Sequence, residues 1–132
     1  MRLVTSFLLL SSVALTAPLH ALSVDIVVAP NPAPLEQFAC AELQRYLERL
    51  FPASARIVNA PSGTAEYLFY VGGPGDTACP VSPLPALSEQ GFLLRTGQWR
   101  DKPAVFIVGG SPVAAMWGVY ELVERYGVRY LL

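Results

Sequence analysis

Histidine is almost missing from this sequence: the one imidazole in 132 residues is His20. It stands at the end of a segment that does not read as part of a folded domain. Arg2 supplies a positive charge, Leu3 to Leu15 is apolar but for Thr and Ser, and small residues follow at Ala17 and Ala21. That is the layout of a secretory signal peptide. Pro18 and His20 end the apolar run short of the roughly 20 residues a membrane span needs. The reading is therefore residues 1–21 as a leader cleaved near Ala21, export to a periplasmic or extracellular compartment, and no stable membrane anchor. The expected mature chain, 22–132, holds no imidazole. A Ser/His/Asp or Cys/His arrangement needs one to relay a proton, and the usual catalytic zinc sites draw on histidine ligands. Both are excluded.

Charge is scarce as well. Nine Lys and Arg stand against ten Asp and Glu, and loss of Arg2 would leave eight against ten, so nothing here attracts nucleic acid or an anionic membrane surface. Cysteine occurs twice, at Cys40 and Cys79. An oxidising compartment permits the two to pair, while the alternative is burial of each as a small hydrophobe.

What is present reads as alternating strands and helices. Ser23 to Ala29 is apolar and rich in valine, as a buried strand should be. After the turn PNPAP, apolar residues at 35, 38, 39, 43, 46, 47, 50 and 51 predict an amphipathic helix ended by Pro52. Cys40 falls off that stripe, which leaves it free to reach a surface loop. Arg56 to Asn59 and Tyr67 to Val71 are short strands. The proline- and glycine-rich GGPGDTACPVSPLP that follows is a long loop. Gly91 to Thr96 and Ala104 to Gly109 form an antiparallel hairpin across the polar link GQWRDKP. Ser111 is placed to cap a second helix, Pro112 to begin it and Gly127 to stop it. Val113, Met116, Trp117, Tyr120 and Val123 share one face of that helix, and Ala115, Val119, Leu122 and Tyr126 another. Only Ala114, Gly118, Glu121 and Arg125 remain as a small or polar wedge. Such a helix expects partners on two sides.

Few groups are arranged for chemistry. VGGPGD, with Gly72, Gly73 and Gly75, lacks a following helix to add its N-terminal dipole to a phosphate site. IVGGSPVAAMWG has the order strand, glycines, helix, but lacks GxGxxG spacing and a P-loop lysine. No cofactor is expected. Glu121 and Glu124 lie one helical turn apart beside Arg125, and Glu42 and Glu48 flank Arg45; surface ion pairing explains both sets better than an acid/base couple does. Trp99, in the polar link beside Arg100 and Asp101, is the candidate for stacking on a sugar ring; the alternative is that it folds back over the sheet edge.

Gly91-Phe92, Ile107 to Ser111, Gly118 to Glu124 and Gly127 to Tyr130 resemble the "GF", "IxGG/S", "GxYxxLE" and "GVR[YW]" elements of one domain, with Val123 where leucine is usual. It is the N-terminal domain of glycoside hydrolase family 67 α-glucuronidases and related bacterial polysaccharide-degrading enzymes. ACAELQRYLERL is similar to that domain's first helix. The resemblance implies an α/β fold, a small mixed β-sheet covered by two main helices, of the accessory type found in α-glucuronidases and hexosaminidase-like enzymes. It also implies a catalytic (β/α)8 barrel C-terminal to Leu132, where the catalytic carboxylates would lie. No residue of this chain inherits a catalytic role. The function expected is a non-catalytic accessory domain of an exported glycoside hydrolase acting in xylan or related polysaccharide breakdown. The alternative is a free-standing exported module that binds carbohydrate through Trp99.

Overall fold

A computed structural model describes residues 20–129. The leader segment 1–19 and the exit residues Tyr130 to Leu132 lie outside it, so the expectations that fall on them are not addressed by the fold. Strand β1 (Leu22–Val27) leads into helix α1 (Pro34–Leu50), then β2 (Ala53–Val58), β3 (Tyr67–Gly72), β4 (Phe92–Trp99), β5 (Lys102–Gly109) and helix α2 (Pro112–Arg125). The sheet runs in the order β2-β1-β3-β5-β4, parallel except for the antiparallel edge strand β4. This is the α/β fold with a small mixed sheet and two main helices that the sequence led us to expect.

The period-2 alternation of the strands sorts their side chains onto two faces. Val24, Ile26, Phe69, Val71 and Ile107 point to one face and are covered by α1, through Ala39, Cys40, Leu43 and Leu47, and by α2, through Ala115, Val119, Leu122 and Val123. Leu68, Tyr70, Ala104, Phe106 and Val108 point to the other, where no helix of the described residues lies. The long loop covers that face instead. Val81 is buried there, and Cys79, Leu84 and Leu87 pack beside it. Full burial of such an aliphatic contributes about 1.5–3 kcal/mol; Val81 comes near that limit and Leu84 and Leu87, partly buried, add less, which is how a segment without regular hydrogen bonding is held down.

Three expectations change. Cys40 is fully buried in the helix-side core, because the seated stripe of α1 is Ala39, Cys40, Leu43 and Leu47 while Leu35, Phe38, Leu50 and Phe51 are exposed. Cys79 belongs to the opposite face. Both thiols are free, and the sheet between them prevents the disulfide considered above. The hairpin link is shorter than its composition suggests: Gln98 pairs with Pro103 and Trp99 with Lys102, leaving only Arg100 and Asp101 as the turn, at φ 49° and 63°. Two left-handed residues give a two-residue turn that matches strand twist. Pro103 is tolerated because β5 joins β3 only from Ala104 onward, so no ladder bond is forfeited. Third, the wedge of α2 faces inward at Ala114 and Gly118, both buried. A Cβ on Gly118 would lie 2.8 Å from Ile107 Cγ2 and 3.4 Å from Phe92 Cδ2, so the missing side chain lets helix and sheet approach.

The capping residues of α2 behave as read. Ser111 Oγ accepts the Ala114 amide at 3.2 Å and Gly127 adopts φ 107°. The amide of Val128 then returns to the Val123 carbonyl at 3.1 Å, closing the helix end. Of the two apolar faces, one meets the sheet. Much of the other meets α1: Val123 is buried, and Met116 and Tyr120 pack at the margin of the same core. Trp117 remains exposed at 40%.

Candidate functional site

Open parallel sheets bind ligands beyond the carboxyl ends of their strands, where neighbouring connections diverge. Here that point lies between β1 and β3, beside the first glycine-bearing loop. The chain fills it. Asp76 Oδ2 accepts the amide of Gly73 at 3.1 Å and the hydroxyl of Tyr70 at 2.7 Å, so the amide a phosphate would use is already bound to a carboxylate of the same loop. A Cβ on Gly72 would overlap that carboxylate. Burial, then the neighbouring Asp76 charge, pushes the Tyr70 phenol above its ordinary range; it is a fixed donor at neutral pH.

The second glycine-bearing loop is closed too. A Cβ on Gly110 would overlap the Ser88 carbonyl, and one on Gly109 would overlap the amide of Ala115. The Gly110 amide donates to the Gly91 carbonyl at 2.8 Å, and the Ser111 hydroxyl donates to the Glu89 carbonyl. These glycines exist so that the loop before β4 can lie directly on the start of α2.

Three of the four carboxylates weighed from sequence are engaged singly. Glu42 pairs with Arg45 at 2.8 Å and lies 3.5 Å from the Tyr120 hydroxyl. Glu48 accepts the Ala55 amide at 3.1 Å, and Glu121 pairs with Arg125 at 3.2 Å. Glu124 is exposed. None of these is brought opposite another across a cleft. Trp99 lies within β4, not in a loop; its indole meets Tyr70 edge-on at 6.2 Å and Phe106 at 6.3 Å between centroids. It anchors the loop-side core. Among the described residues, no cluster of His, Cys, Asp and Glu could hold a metal ion, and no helix is long and apolar enough to cross a membrane.

Two features escaped the sequence reading. Asp25, in the middle of β1, is fully buried; it accepts the Ser62 amide at 2.8 Å and pairs with Arg56 at 3.2 Å. Arg56, its cross-strand neighbour, also reaches Ser62 Oγ at 3.0 Å. This cluster fastens the helix-free crossover of residues 59–66, which runs back across the loop-side face to carry the chain from β2 to β3. An acidic residue amid valines was the only signal for it.

The second feature is the opposite end of the sheet, where the parallel strands begin. A cleft of about 170 Å³ is lined there by Leu22, Val24, Leu47, Phe51, Ala53, Tyr67, Phe69 and Tyr126. A second, of about 250 Å³, shares Tyr67, Phe69 and Tyr126 and adds Thr96, Gly97 and Pro103. Phe51 and Tyr126 meet edge to face at 5.4 Å. Apart from the hydroxyls of Tyr67 and Tyr126, the described side chains lining the first cleft are hydrocarbon, so it can bind apolar surface.

A sheet covered by helices on one face and by a loop on the other, with the carboxyl ends of its strands closed by its own chain, defines a small α/β domain. The sequence matches the family described as "Glycosyl hydrolase family 67 N-terminus" over residues 7–122, and the chain belongs to that family. Among solved structures it is similar to a family GH115 4-O-methyl-α-glucuronidase with specificity for decorated arabinogalactans: TM-score 0.65, 22% identity, 84% of this chain and 14% of that one. That likeness is one of fold, and this chain spans a small part of the glucuronidase it matches. No curated protein matches the sequence.

Proposed function

We propose that this chain is the non-catalytic N-terminal accessory domain of an exported glycoside hydrolase of α-glucuronidase type, acting in the breakdown of xylan or a related polysaccharide. The observation that carries the reading is the family match, which spans residues 7–122. The geometry agrees with it. Most glycosidases need two carboxyl groups set several ångström apart across the sugar, whereas Glu42, Glu48 and Glu121 each serve a local structural bond. The catalytic pair then belongs to a (β/α)8 barrel that follows Leu132. The glycan-binding alternative gains nothing from Trp99, whose ring is engaged by Tyr70 and Phe106.

The test is release of glucuronic acid from aldouronic oligosaccharides, first by this chain alone and then with an α-glucuronidase barrel domain joined after Leu132. Activity is expected only in the second case. Turnover by the short chain that disappears in Glu121→Gln or Glu124→Gln would overturn the proposal.

A further inference from the structure

The scissile bond implied by the leader, Ala21 to Leu22, abuts the first residue of an interior strand. β1 lies between β2 and β3, and its ladder with β2 starts at once, Leu22 opposite Ala53 and Ser23 opposite Ser54. The Leu22 amide donates to the Pro52 carbonyl at 2.8 Å, and the Glu66 amide to the Ser23 carbonyl at 2.9 Å. Glu66 Oε2 accepts the Ser23 amide at 2.9 Å and the Ser23 hydroxyl at 3.3 Å, and holds His20 Nε2 at 3.2 Å. Val24, two residues past the bond, is buried in the helix-side core.

A peptidase that takes its substrate as an extended strand needs the backbone donors and acceptors on both sides of the bond it cuts. In the folded domain those on the Leu22 side are already engaged, and exposing them means peeling an interior strand from both neighbours. We infer that removal of the leader must precede folding of this domain, so that the chain is delivered to its leader peptidase unfolded and the folded precursor is a dead end for processing. The inference rests on the export reading above. The step itself is hydrolysis: one water is consumed, the Ala21–Leu22 amide breaks, a carboxylate forms on Ala21 and an ammonium on Leu22. Glu66 acts as a latch, since it fastens residues on both sides of the bond without belonging to the core.

The experiment uses the full-length chain and a purified leader peptidase in detergent micelles, with cleavage followed by intact mass. Three forms are compared: the refolded wild type; Ile26→Asp, which places a charge at a fully buried position and keeps the chain unfolded; and Glu66→Ala, which frees Ser23 and His20. Ile26→Asp should be cut between Ala21 and Leu22. The refolded wild type should be cut at least ~100-fold more slowly, because proteolysis of a structured site follows the population of its opened form. Glu66→Ala, still folded by circular dichroism, should fall between them. Cutting of the folded wild type as fast as Ile26→Asp overturns the inferred order while leaving export intact. Failure to cut even the unfolded Ile26→Asp chain overturns the export reading and the inference with it.

Discussion

Asp25 is the residue whose removal says most about how this fold is held. It is a fully buried carboxylate with two donors, the Ser62 amide at 2.8 Å and the Arg56 guanidinium at 3.2 Å. A hydrogen bond to a charged group contributes about 1.5–3 kcal/mol. The Arg56 side chain is 57% exposed, so solvent screening limits its share to below about 1 kcal/mol. Truncation in Asp25→Ala strands the Ser62 amide but also removes a buried charge, whose desolvation opposed folding. The balance is a loss of about 2–3 kcal/mol, or a fall in Tm of about 10–15 °C for a domain of this size. Arg56→Ala should cost about 1 kcal/mol, and Asp25→Asn, which keeps the volume and one acceptor, should fall between. Urea unfolding followed by tryptophan fluorescence gives these values, and hydrogen exchange at Ser62 should accelerate in Asp25→Ala before the core does. A loss under ~1 kcal/mol for Asp25→Ala, or an equal loss for Arg56→Ala, would refute the view that one buried carboxylate secures the crossover.

Raising the pH tests the Tyr70 latch. Burial, then Asp76, raises the Tyr70 phenol above its ordinary value of 10.0; the folded form thus holds its proton longer than the unfolded one, and the stability this confers is complete below pH 10 and declines above it. The slope is about 1.4 kcal/mol per pH unit for one such group, and Tyr70→Phe should flatten the alkaline limb of a stability-versus-pH curve. Alkylation of the native protein should modify Cys79 and spare Cys40, whose thiol is pushed up to about 12 by burial and then by Glu36. Unfolding in denaturant without reductant should make both reactive, and an intact mass showing neither thiol free would contradict the separation by the sheet. Gly110→Ala should destabilise by about 1–3 kcal/mol, because its methyl meets the Ser88 backbone carbonyl; an unchanged urea midpoint would mean that the loop before β4 is not seated as described.

Much of this fold was legible because its local signals agree with one another. Ser111, Pro112 and Gly127 mark the ends of α2 by capping chemistry that depends on neighbours in sequence alone. The valine-rich run around Ile26 and the apolar run ending at Gly109 are strands by composition. What failed depends on partners distant in sequence. The outer apolar residues of α1, Leu35, Phe38, Leu50 and Phe51, drew the apparent stripe away from Cys40, and only the angle at which the helix meets the sheet selects the true one. Gly97 and Pro103 disguised the strand ends around Trp99, because a glycine in an edge strand and a proline beyond the β3 ladder are harmless only in this sheet order. The loop around Val81 read as absence of structure; its role as the cover of a whole sheet face comes from the side chains of Leu68, Tyr70 and Phe106 lying beneath it. Of the candidate site residues, Trp99 carried two readings, sugar stacking and folding back over the sheet edge, and its contacts with Tyr70 and Phe106 agree with the second; Asp25 was not singled out at all.

The two ends of the sheet divide the work in a way that bears on the proposed function. At the carboxyl ends, where a parallel sheet ordinarily receives its ligand, Asp76 occupies the Gly73 amide and the Ser88 backbone lies on Gly110. A cofactor or sugar would have to displace bonds the chain makes with itself. At the other end, Phe51 and Tyr67 are 39% and 40% exposed, and the clefts beside them share Tyr126, three residues before Arg129, the last described residue. Sugar subsites combine aromatic faces with directed polar groups, and the first cleft offers almost only hydrocarbon; the same surface meets the chemistry of a protein contact, whose centre is apolar and aromatic. Under the proposed function, the domain therefore turns its closed end to solvent and its open end toward the polypeptide that continues from it. On that proposal the reacting groups would lie on another domain, and this one would contribute the apolar surface around Phe51 and Tyr126.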